Sequence, residues 1–462
     1  MIEQDVIERV LGSALRTGGD FAEVFAEDRR GTAASLEDAR VEQMASGRER
    51  GAGIRVVSGE TTGFAHTADL SEAGLLAAAS AAAAAARHGG GGVRKVALAP
   101  AGSDRGAVEV LPETVPKDSK VALLRRADEA ARSAGAAIRQ VSATYADSRR
   151  QILVANSDGV LVTDDQVRTR FGVSCVAAGD TGLQTGRESL GATVGFELFD
   201  AHDVDDLARR AASRALAKLA ARPAPSGTLP VVIKQGSGGI LFHEACGHGL
   251  EADHIVKELS VFAHRVGEQV ASPLVTLVDD GTMGSEWGAF GVDDEGHPAK
   301  RNVLIDQGVL TDYMWDYLRA RKEGRESSGN GRRETYQHLP MVRMTNTFLL
   351  GGAEDPEEIV RQTPHGVFVA QLGGGQVNTA TGDFTFGATE AYLIEDGEIT
   401  EALRDTNLIG NGPEILGLID AVGNDFAMGS PGTCGKQGQG VPVGTGQPTL
   451  RVSALTVGGT SR

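Results

Sequence analysis

The chain has 462 residues, 41% of them hydrophobic and 23% charged, which is typical of a globular protein with two or three domains. Its formal net charge of −17 repels phosphate backbones and anionic membranes, and its aromatic content of 5% is too low for a base-stacking platform. Direct nucleic-acid binding is therefore not expected.

The first ten residues are typical of an acidic amphipathic helix rather than a signal peptide, and no hydrophobic run approaches the roughly 20 residues of a membrane span. The three cysteines, Cys175, Cys246 and Cys434, are too widely spaced for a disulfide framework. These features predict a cytoplasmic protein that does not enter a membrane.

In chain order, the first elements are a helix, a sheet and a second helix. Apolar residues at helical spacing predict a helix over 2–16, and alternating residues predict an antiparallel meander over 21–66. A helix is predicted over 71–88, with Arg87 and His88 in its last turn and a stop at glycines 89–92.

The next elements repeat this combination of helices and antiparallel strands. The predicted elements are a helix over 117–133, strands over 141–145 and 151–155, a hairpin turn at 156–159 with a returning strand to 163, strands over 170–178 and 191–199, and a helix over 204–221.

Two glycine- and proline-bearing segments, 89–116 and 222–227, predict the domain boundaries. The expected units are an N-terminal α+β domain (1–112), a central α+β domain (113–225) and a C-terminal domain (226–462). The predicted fold class is α+β: N-terminal α/β modules of antiparallel strands with helices, then a glycine-rich, mostly β domain that carries a metal-binding helix.

That helix is predicted after the strand that begins at Pro230 and a glycine turn. His243, Glu244 and His248 supply two imidazoles and a carboxylate, the components of a hydrolytic metal site. Zinc-peptidase helices space their histidines four residues apart, about 400° of rotation, whereas five residues give about 500° and separate the rings by about 140°. We therefore predict a π-type bulge, most easily placed at Gly247, that brings the two rings together.

A third ligand is needed, and the residues leave several candidates. Cys434 lies in a glycine-rich turn with Lys436 nearby to favour its thiolate, and it ranks first. Glu251, three residues after His248, ranks second because the next helical turn could bring it to the metal. The remaining candidates are His254 and Cys246.

Several long segments resemble the TldD/PmbA family, whose members were once named modulators of DNA gyrase and include metallopeptidases. The resemblance covers nearly the whole chain and is strongest from about residue 236. The segments are 236–251 (GSGGILFHEACGHGLE), 279–283 (DDGTM), 293–296 (DDEG), 329–334 (GNGRRE), 340–347 (PMVRMTNT) and 434–450 (CGKQGQGVPVGTGQPTL).

The resemblance implies a site, residue by residue. The metal-ligating histidines of the family motif correspond to His243 and His248, its glutamate to Glu244 and its distal cysteine to Cys434. Because the TldD branch keeps these residues and the PmbA (TldE) branch has lost them, the chain resembles the catalytic branch. Cys246 is then expected to be a packing residue.

With this ligand set, one Zn²⁺ keeps a fourth position for water, and Glu244 is the expected general acid and base. The resemblance implies a two-subunit chamber that admits unfolded or modified peptides, formed by a homodimer or with a PmbA/TldE-type partner, for peptide maturation or turnover. Two alternative hypotheses are a peptide-tailoring scaffold and a topoisomerase-linked binding protein, each without proteolysis of its own.

Three further features have open interpretations. Tyr313, Arg343 or glycine-loop amides are candidates to stabilise the oxyanion. The segment 372–379 either pairs with an extended peptide or forms a plain hairpin turn. The segment 329–334 either lines the chamber or a subunit interface, or makes ordinary ion pairs.

Overall fold

A computed structural model describes residues 2–86, 96–103, 108–378 and 380–459. The mixed fold class is confirmed, with helices and long antiparallel strands in the first half and a mostly β second half. No helix in these ranges is long and apolar enough to cross a membrane.

The first half builds one continuous sheet covered by helices. Its elements are α1 (Gln4–Ala14), β1 (Phe21–Glu37), β2 (Arg40–Ser58), β3 (Thr61–Thr67), α2 (Glu72–Ala85), β4 (Ala99–Gly102), α3 (Lys117–Ser133), β5 (Ile138–Asn156), β6 (Val160–Gly179), β7 (Gly182–Ala192), α4 (Leu198–Ala201) and α5 (Val204–Leu219).

The strands of this N-terminal sheet follow the order β3-β2-β1-β5-β6-β4, with β7 on β6. The meander β1-β2-β3 and the strands β5-β6-β7 join because β1 pairs with β5 along most of its length. Apolar faces of α1 and α2 pack on one part of the sheet, and those of α3 and α5 on another.

Three predictions in this half are wrong in detail. The strands expected at 141–145 and 151–155 are parts of the single strand β5, and those expected at 160–163 and 170–178 are parts of the single strand β6. The strand expected over 191–199 ends at Ala192. Beyond it, the Glu197 carboxylate accepts hydrogen bonds from the backbone amides of Gly195, Val110 and Glu109, which stabilises a turn into α4 instead. The predicted end of α2 at 87–92 lies outside the described residues.

The second half has shorter elements. They are β8 (Arg222–Pro223), β9 (Gly227–Ile233), α6 (Gly239–Ala245), α7 (Ala252–Ile255), β10 (Leu277–Asp280), β11 (Arg301–Asp306), β12 (Val309–Leu310), α8 (Tyr317–Lys322), β13 (Gly331–Arg332), β14 (Met341–Val342), β15 (Asn346–Leu349), α9 (Pro356–Arg361), β16 (His365–Val377), β17 (Asp383–Glu395), β18 (Glu398–Arg404), β19 (Asn407–Asn411), α10 (Gly412–Gly417), β20 (Ile419–Val422), β21 (Ala427–Met428), β22 (Gly432–Lys436), β23 (Gln439–Gln447) and β24 (Leu450–Gly458).

Two larger sheets organise these strands around α6. One follows the order β12-β11-β10-β15-β23-β21, and the other follows β16-β9-β24-β19-β17-β18-β8. Helix α6 packs against β15 and β23 of the first sheet and shares the main hydrophobic core of this half. A Cβ on Gly239 would lie 2.3 Å from the backbone nitrogen of Gly446, so glycine permits the close approach of α6 to β23.

A buried ion-pair network connects the two halves. Glu23 on β1 contacts Arg55 on β2 at 2.6 Å and also contacts Arg333, while Arg55 contacts Glu295 at 2.8 Å. We call these four residues the Glu23 network. Since Arg333 is 1% exposed, segment 329–334 is an internal junction with ion pairing, and its placement at a subunit surface is wrong.

Candidate metal centre

The two histidines are brought together where α6 ends. His243 lies in α6, and the α-helix stops at Ala245, after which Cys246 has φ −126° and ψ −48° and a 3₁₀ turn, Gly247–Leu250, carries His248. The predicted π-type bulge is therefore wrong, because the chain breaks the helix instead of inserting a residue into it. The break brings the ring centroids to 5.1 Å, with the ring planes at 82°.

The third side chain arrives from the hairpin of β22 and β23. The Sγ atom of Cys434 lies 3.4 Å from Nε2 of His248, and ligand atoms of His243, His248 and Cys434 all lie within 4.8 Å of one another. All three side chains are buried. We call these three residues the metal centre.

The geometry and donor chemistry of this cluster fit a metal ion. Zn–S and Zn–N bonds of about 2.3 and 2.0–2.1 Å at a tetrahedral angle would separate sulfur from nitrogen by about 3.5 Å, close to the observed contact. Nδ1 of His243 is buried and has no hydrogen-bond partner in the described part of the chain. Two imidazoles and a thiolate are ligands that zinc favours.

Glu244 lies at the rim of the metal centre. Its side chain is 31% exposed, and Oε2 lies 3.8 Å from Nε2 of His248. The carboxylate therefore reaches both the centre and solvent, as a group that moves protons must.

The thiol of Cys434 is activated by the histidines and not by Lys436. Burial raises the pKa of Cys434, but hydrogen bonds and charge interactions with His243 and His248 outweigh it and lower the pKa to about 4. Lys436 instead contacts Glu251 at 2.8 Å and Asp253 at 2.7 Å. The prediction that Lys436 favours the thiolate is therefore wrong.

Glu251 supports a histidine. Its Oε2 accepts a hydrogen bond from Nδ1 of His248 at 2.9 Å, which leaves Nε2 of that ring directed at Cys434. Burial raises the pKa of Glu251, whereas the charges of His248 and Lys436 lower it to about 2, so the carboxylate is ionised. A carboxylate on the far nitrogen of a histidine is the usual outer partner of a metal-binding imidazole. Sequence reasoning ranked Glu251 as a possible ligand and missed this role.

The remaining candidate ligands lie elsewhere. Cys246 is fully buried in the main core, where burial raises the pKa of its thiol to about 12. His254 groups with Glu251 and Asp253 rather than with His243 and Cys434. Both carboxylates of that second group contact the Lys436 ammonium, which already supplies their counter-charge.

The two named oxyanion candidates are engaged in other contacts. Tyr313 donates its hydroxyl hydrogen to the carbonyl of Phe262 at 2.7 Å. Arg343 is fully buried and donates to the carbonyls of Cys434 and of Gln439, at 3.2 Å for the latter. Arg343 therefore holds the hairpin that carries the thiol, a role that sequence spacing did not indicate.

The fold and this cluster together define a metal-dependent hydrolase. Family models of the PmbA/TldA metallopeptidase match domain 1 at residues 22–86, the central domain at 111–219 and the C-terminal domain at 226–459. The chain belongs to the PmbA/TldD metallopeptidase family.

Curated relatives extend the match along the chain. This chain is 37% identical to a metalloprotease TldD homolog of Buchnera aphidicola subsp. Schizaphis graminum and 38% identical to one of Haemophilus influenzae. Each match covers 96% of this chain and 93% of the relative. A metalloprotease of Methanothermobacter thermautotrophicus is 36% identical over 96% of both chains.

Solved structures share the fold. A putative modulator of a DNA gyrase from Thermotoga maritima superimposes with a TM-score of 0.81 at 22% identity, over 98% of this chain and 100% of that one. TldE from Thermococcus kodakarensis gives a TM-score of 0.77 at 21% identity, again over 98% and 100%.

Proposed function

We propose that the chain is a zinc-dependent metallopeptidase that cleaves unfolded or small peptides. The observation that carries this proposal is the convergence of His243, His248 and Cys434, with the Glu244 carboxylate at the rim. Three protein ligands leave one tetrahedral position for water or substrate, which is the arrangement of catalytic rather than structural zinc.

In the proposed reaction, His243, His248 and Cys434 hold the zinc ion, and Glu251 fixes the tautomer and orientation of His248 through Nδ1. Bound there, zinc would lower the pKa of a water molecule and polarise a peptide carbonyl. Glu244 accepts the proton of the attacking water on a carboxylate oxygen and passes it to the leaving amine. Its partial exposure lets that carboxylate reach a substrate entering from solvent.

An extended peptide is the substrate form that the surrounding strands favour. Segment 372–379 is not a hairpin turn as far as it is described, because β16 runs through it to Val377, with a register shift between Leu372 and Gly375. Among the described strands, β9 pairs with β16 only over Val367–Val369, so the far half of β16 has one edge without a partner strand. Such an edge supports peptide binding by strand addition.

The proposal includes a partner subunit, either a second copy or a PmbA/TldE-type chain, that closes a chamber over the metal centre. An exposed apolar surface in segment 256–274, directly after α7, supports it. The exposed residues are Val256, Leu259, Val261, Val266 and Leu274. Apolar surface of this kind in one segment is typical of a protein interface.

The test combines metal analysis with mass spectrometry of peptide cleavage, on the purified chain alone and with a PmbA-type partner. We expect one zinc ion per chain, cleavage of unfolded but not folded substrates, and inactivation by a chelator. The Glu244→Gln variant should keep its zinc and lose cleavage. Absence of cleavage in both preparations, with zinc bound, would contradict the peptidase proposal.

A further inference from the structure

A cavity of about 360 Å³ lies between the N-terminal sheet, segment 332–334 and the hairpin that carries Cys434. The hairpin contributes Thr433, next to Cys434, and Val441, the cross-strand partner of Cys434. The lining is rich in arginine, and the arginines are Arg29, Arg150, Arg168, Arg170, Arg332 and Arg333. We call this space the arginine cavity.

Two of these arginines have carboxylate partners: Arg150 pairs with Glu27 and Asp294, and Arg333 pairs with Glu23. Asp147 contacts Lys120 at 2.6 Å, and Asp294 contacts Arg150 at 2.7 Å. Burial, followed by the charge of Glu295, raises the pKa of Asp293 well above its ordinary value, which disfavours its charged form. The fourth lining acid, Glu334, accepts a hydrogen bond from the backbone amide of Gly440 at 2.8 Å.

Arg332 is the clearest sign of an uncompensated charge. It is 4% exposed and donates to two main-chain carbonyls, Met344 at 2.5 Å and Pro442 at 2.7 Å, but makes no ion pair within the described ranges. Its guanidinium also lies over the Phe290 ring at 5.2 Å. A buried cation that makes no ion pair is costly, so an anion in the cavity would relieve that cost.

Two further observations point to an anion. Nε and Nη1 of the buried Arg333 have no hydrogen-bond partner in the part of the chain that the structure describes. Arg29 and Arg170 are exposed and line the same cavity, and neither makes an ion pair with a described carboxylate. These positive charges gather in one place although the chain has a net charge of −17.

We propose that the arginine cavity binds an oxyanion, a carboxylate or a phosphate, through the guanidinium groups of Arg332 and Arg170. Planar guanidinium groups match the two oxygens of such ligands, and these charge-assisted hydrogen bonds are among the strongest in proteins. The lining includes Thr433, which precedes Cys434, so the oxyanion has two candidate sources: an acidic side chain of a peptide bound at the metal centre, or a free phosphate. The assignment of the anion to a peptide substrate rests on the proposed function. The binding of a free oxyanion does not.

The test measures binding and therefore does not depend on hydrolysis. In the Glu244→Gln background, calorimetry compares inorganic phosphate and two unfolded peptides that differ by one Glu→Gln change. The variants are Arg170→Gln, at an exposed position, and Arg332→Lys, and circular dichroism checks the fold of both. The matched control is Arg125→Gln, an exposed arginine on α3 that does not line the cavity.

We expect the glutamate peptide to bind about tenfold more tightly than the glutamine peptide. This preference should disappear in Arg170→Gln and remain in Arg125→Gln. Phosphate binding that is lost in Arg170→Gln, with no difference between the peptides, would support the oxyanion site and assign it a free anion.

The proposal is overturned if phosphate does not bind and the two peptides bind equally, or if Arg125→Gln weakens binding as much as Arg170→Gln. Since no step requires turnover, these outcomes stay distinct from a failure of the peptidase proposal. That failure would appear as uncleaved peptide with the wild-type chain.

Discussion

The metal centre and the Glu23 network are both buried clusters of charged or ionisable side chains, but their internal partners differ. In the network, both oxygens of Glu23 contact a guanidinium, one from Arg55 and one from Arg333. In the metal centre, two imidazoles and a thiol face one another, and Nδ1 of His243 has no described partner. Carboxylates and guanidinium groups therefore neutralise one another in the network, whereas the metal centre brings together three ligand atoms that a bound cation could share.

Because of this difference, we expect the Glu23 network to contribute to folding stability and the metal centre to contribute to metal binding and catalysis. The network connects strands β1 and β2 with residues about 240 to 310 positions later, so it holds the two halves of the molecule together. The metal centre instead supplies three ligand atoms for a bound cation. Substitutions in the first should change stability, and substitutions in the second should change metal binding and activity.

The largest expected effect is that of Cys434→Ala. Loss of a ligand should weaken zinc binding more than the roughly 10–100-fold cost of losing an outer partner, and peptide cleavage should fall to background. The measurements are zinc stoichiometry after dialysis and the cleavage rate. Cys246→Ala removes a thiol that is also buried and is the matched control. Equal loss of zinc in both variants would contradict the assignment.

Arg55→Met should produce the complementary result. Removing one member of a buried ion pair leaves Glu23 and Glu295 without that partner and should cost about 3–5 kcal/mol of unfolding free energy, measured with urea. The exposed pair of Arg48 with Asp28 is the control, and Arg48→Met should cost less than about 1 kcal/mol. The folded fraction of both variants should still bind zinc. Loss of zinc at unchanged stability in Arg55→Met would remove the distinction between the clusters.

The pH dependence of folding stability tests Asp316, which interacts with Glu295 of the Glu23 network. Burial, followed by the charge of Glu295, raises the pKa of Asp316 from 3.8 to about 6. The proton is therefore held more tightly in the folded state, so this group favours folding below the unfolded pKa, and that contribution is lost as the pH rises through the folded pKa.

Asp316→Asn removes this titration while it keeps a side-chain acceptor for the backbone amide of Arg319. The stability of the variant relative to wild type should increase between about pH 4 and pH 6 and then stay level, by up to about 3 kcal/mol at 1.36 kcal/mol per pKa unit. Thermal unfolding at pH 4, 5, 6 and 8 measures the difference. A constant difference across this range would show that Asp316 is ionised throughout.

Local patterns predicted much of the first half, because its elements depend on neighbours in sequence. Helix α3 spans Lys117–Ser133 as predicted, and the meander before residue 67 follows its alternation and turns. The strand expected beyond Ala192 failed because Glu197 bonds three backbone amides there, one of them at Glu109, and this contact spans 88 positions. Alternation carries no information about such a contact.

At the site, the sequence indicated the side chains but not how they are held. The five-residue interval between His243 and His248 showed that a regular helix could not present both rings on one face. It did not show that the backbone would break at Cys246. The roles of Glu251, Arg343 and Lys436 depend on contacts across 3 to 185 positions, and only the fold specifies them.

The smallest expected effect is that of Glu251→Gln. This variant tests a residue that combines the two kinds of contact, a hydrogen bond to a metal ligand and a buried ion pair. Glu251 is fully buried, and its Oε2 contacts both Nδ1 of His248 and the ammonium of Lys436. An amide keeps the size of the side chain but removes the charge that orients and polarises the imidazole. Zinc affinity, measured by competition with a chromophoric chelator, should fall about 10–100-fold.

Asp253→Asn is the matched control, because Asp253 contacts the same ammonium at 2.7 Å and is not among the hydrogen-bond partners of His248. It should change zinc affinity by less than about threefold, well below the cost of losing an outer partner. If both variants weaken zinc binding equally, Glu251 acts through Lys436 and the charge of the pocket. If only Glu251→Gln weakens zinc binding, the hydrogen bond from His248 to Glu251 supports the metal ligand. The Glu251 carboxylate would then do this although it is also paired with a cation, as the carboxylates of the Glu23 network are.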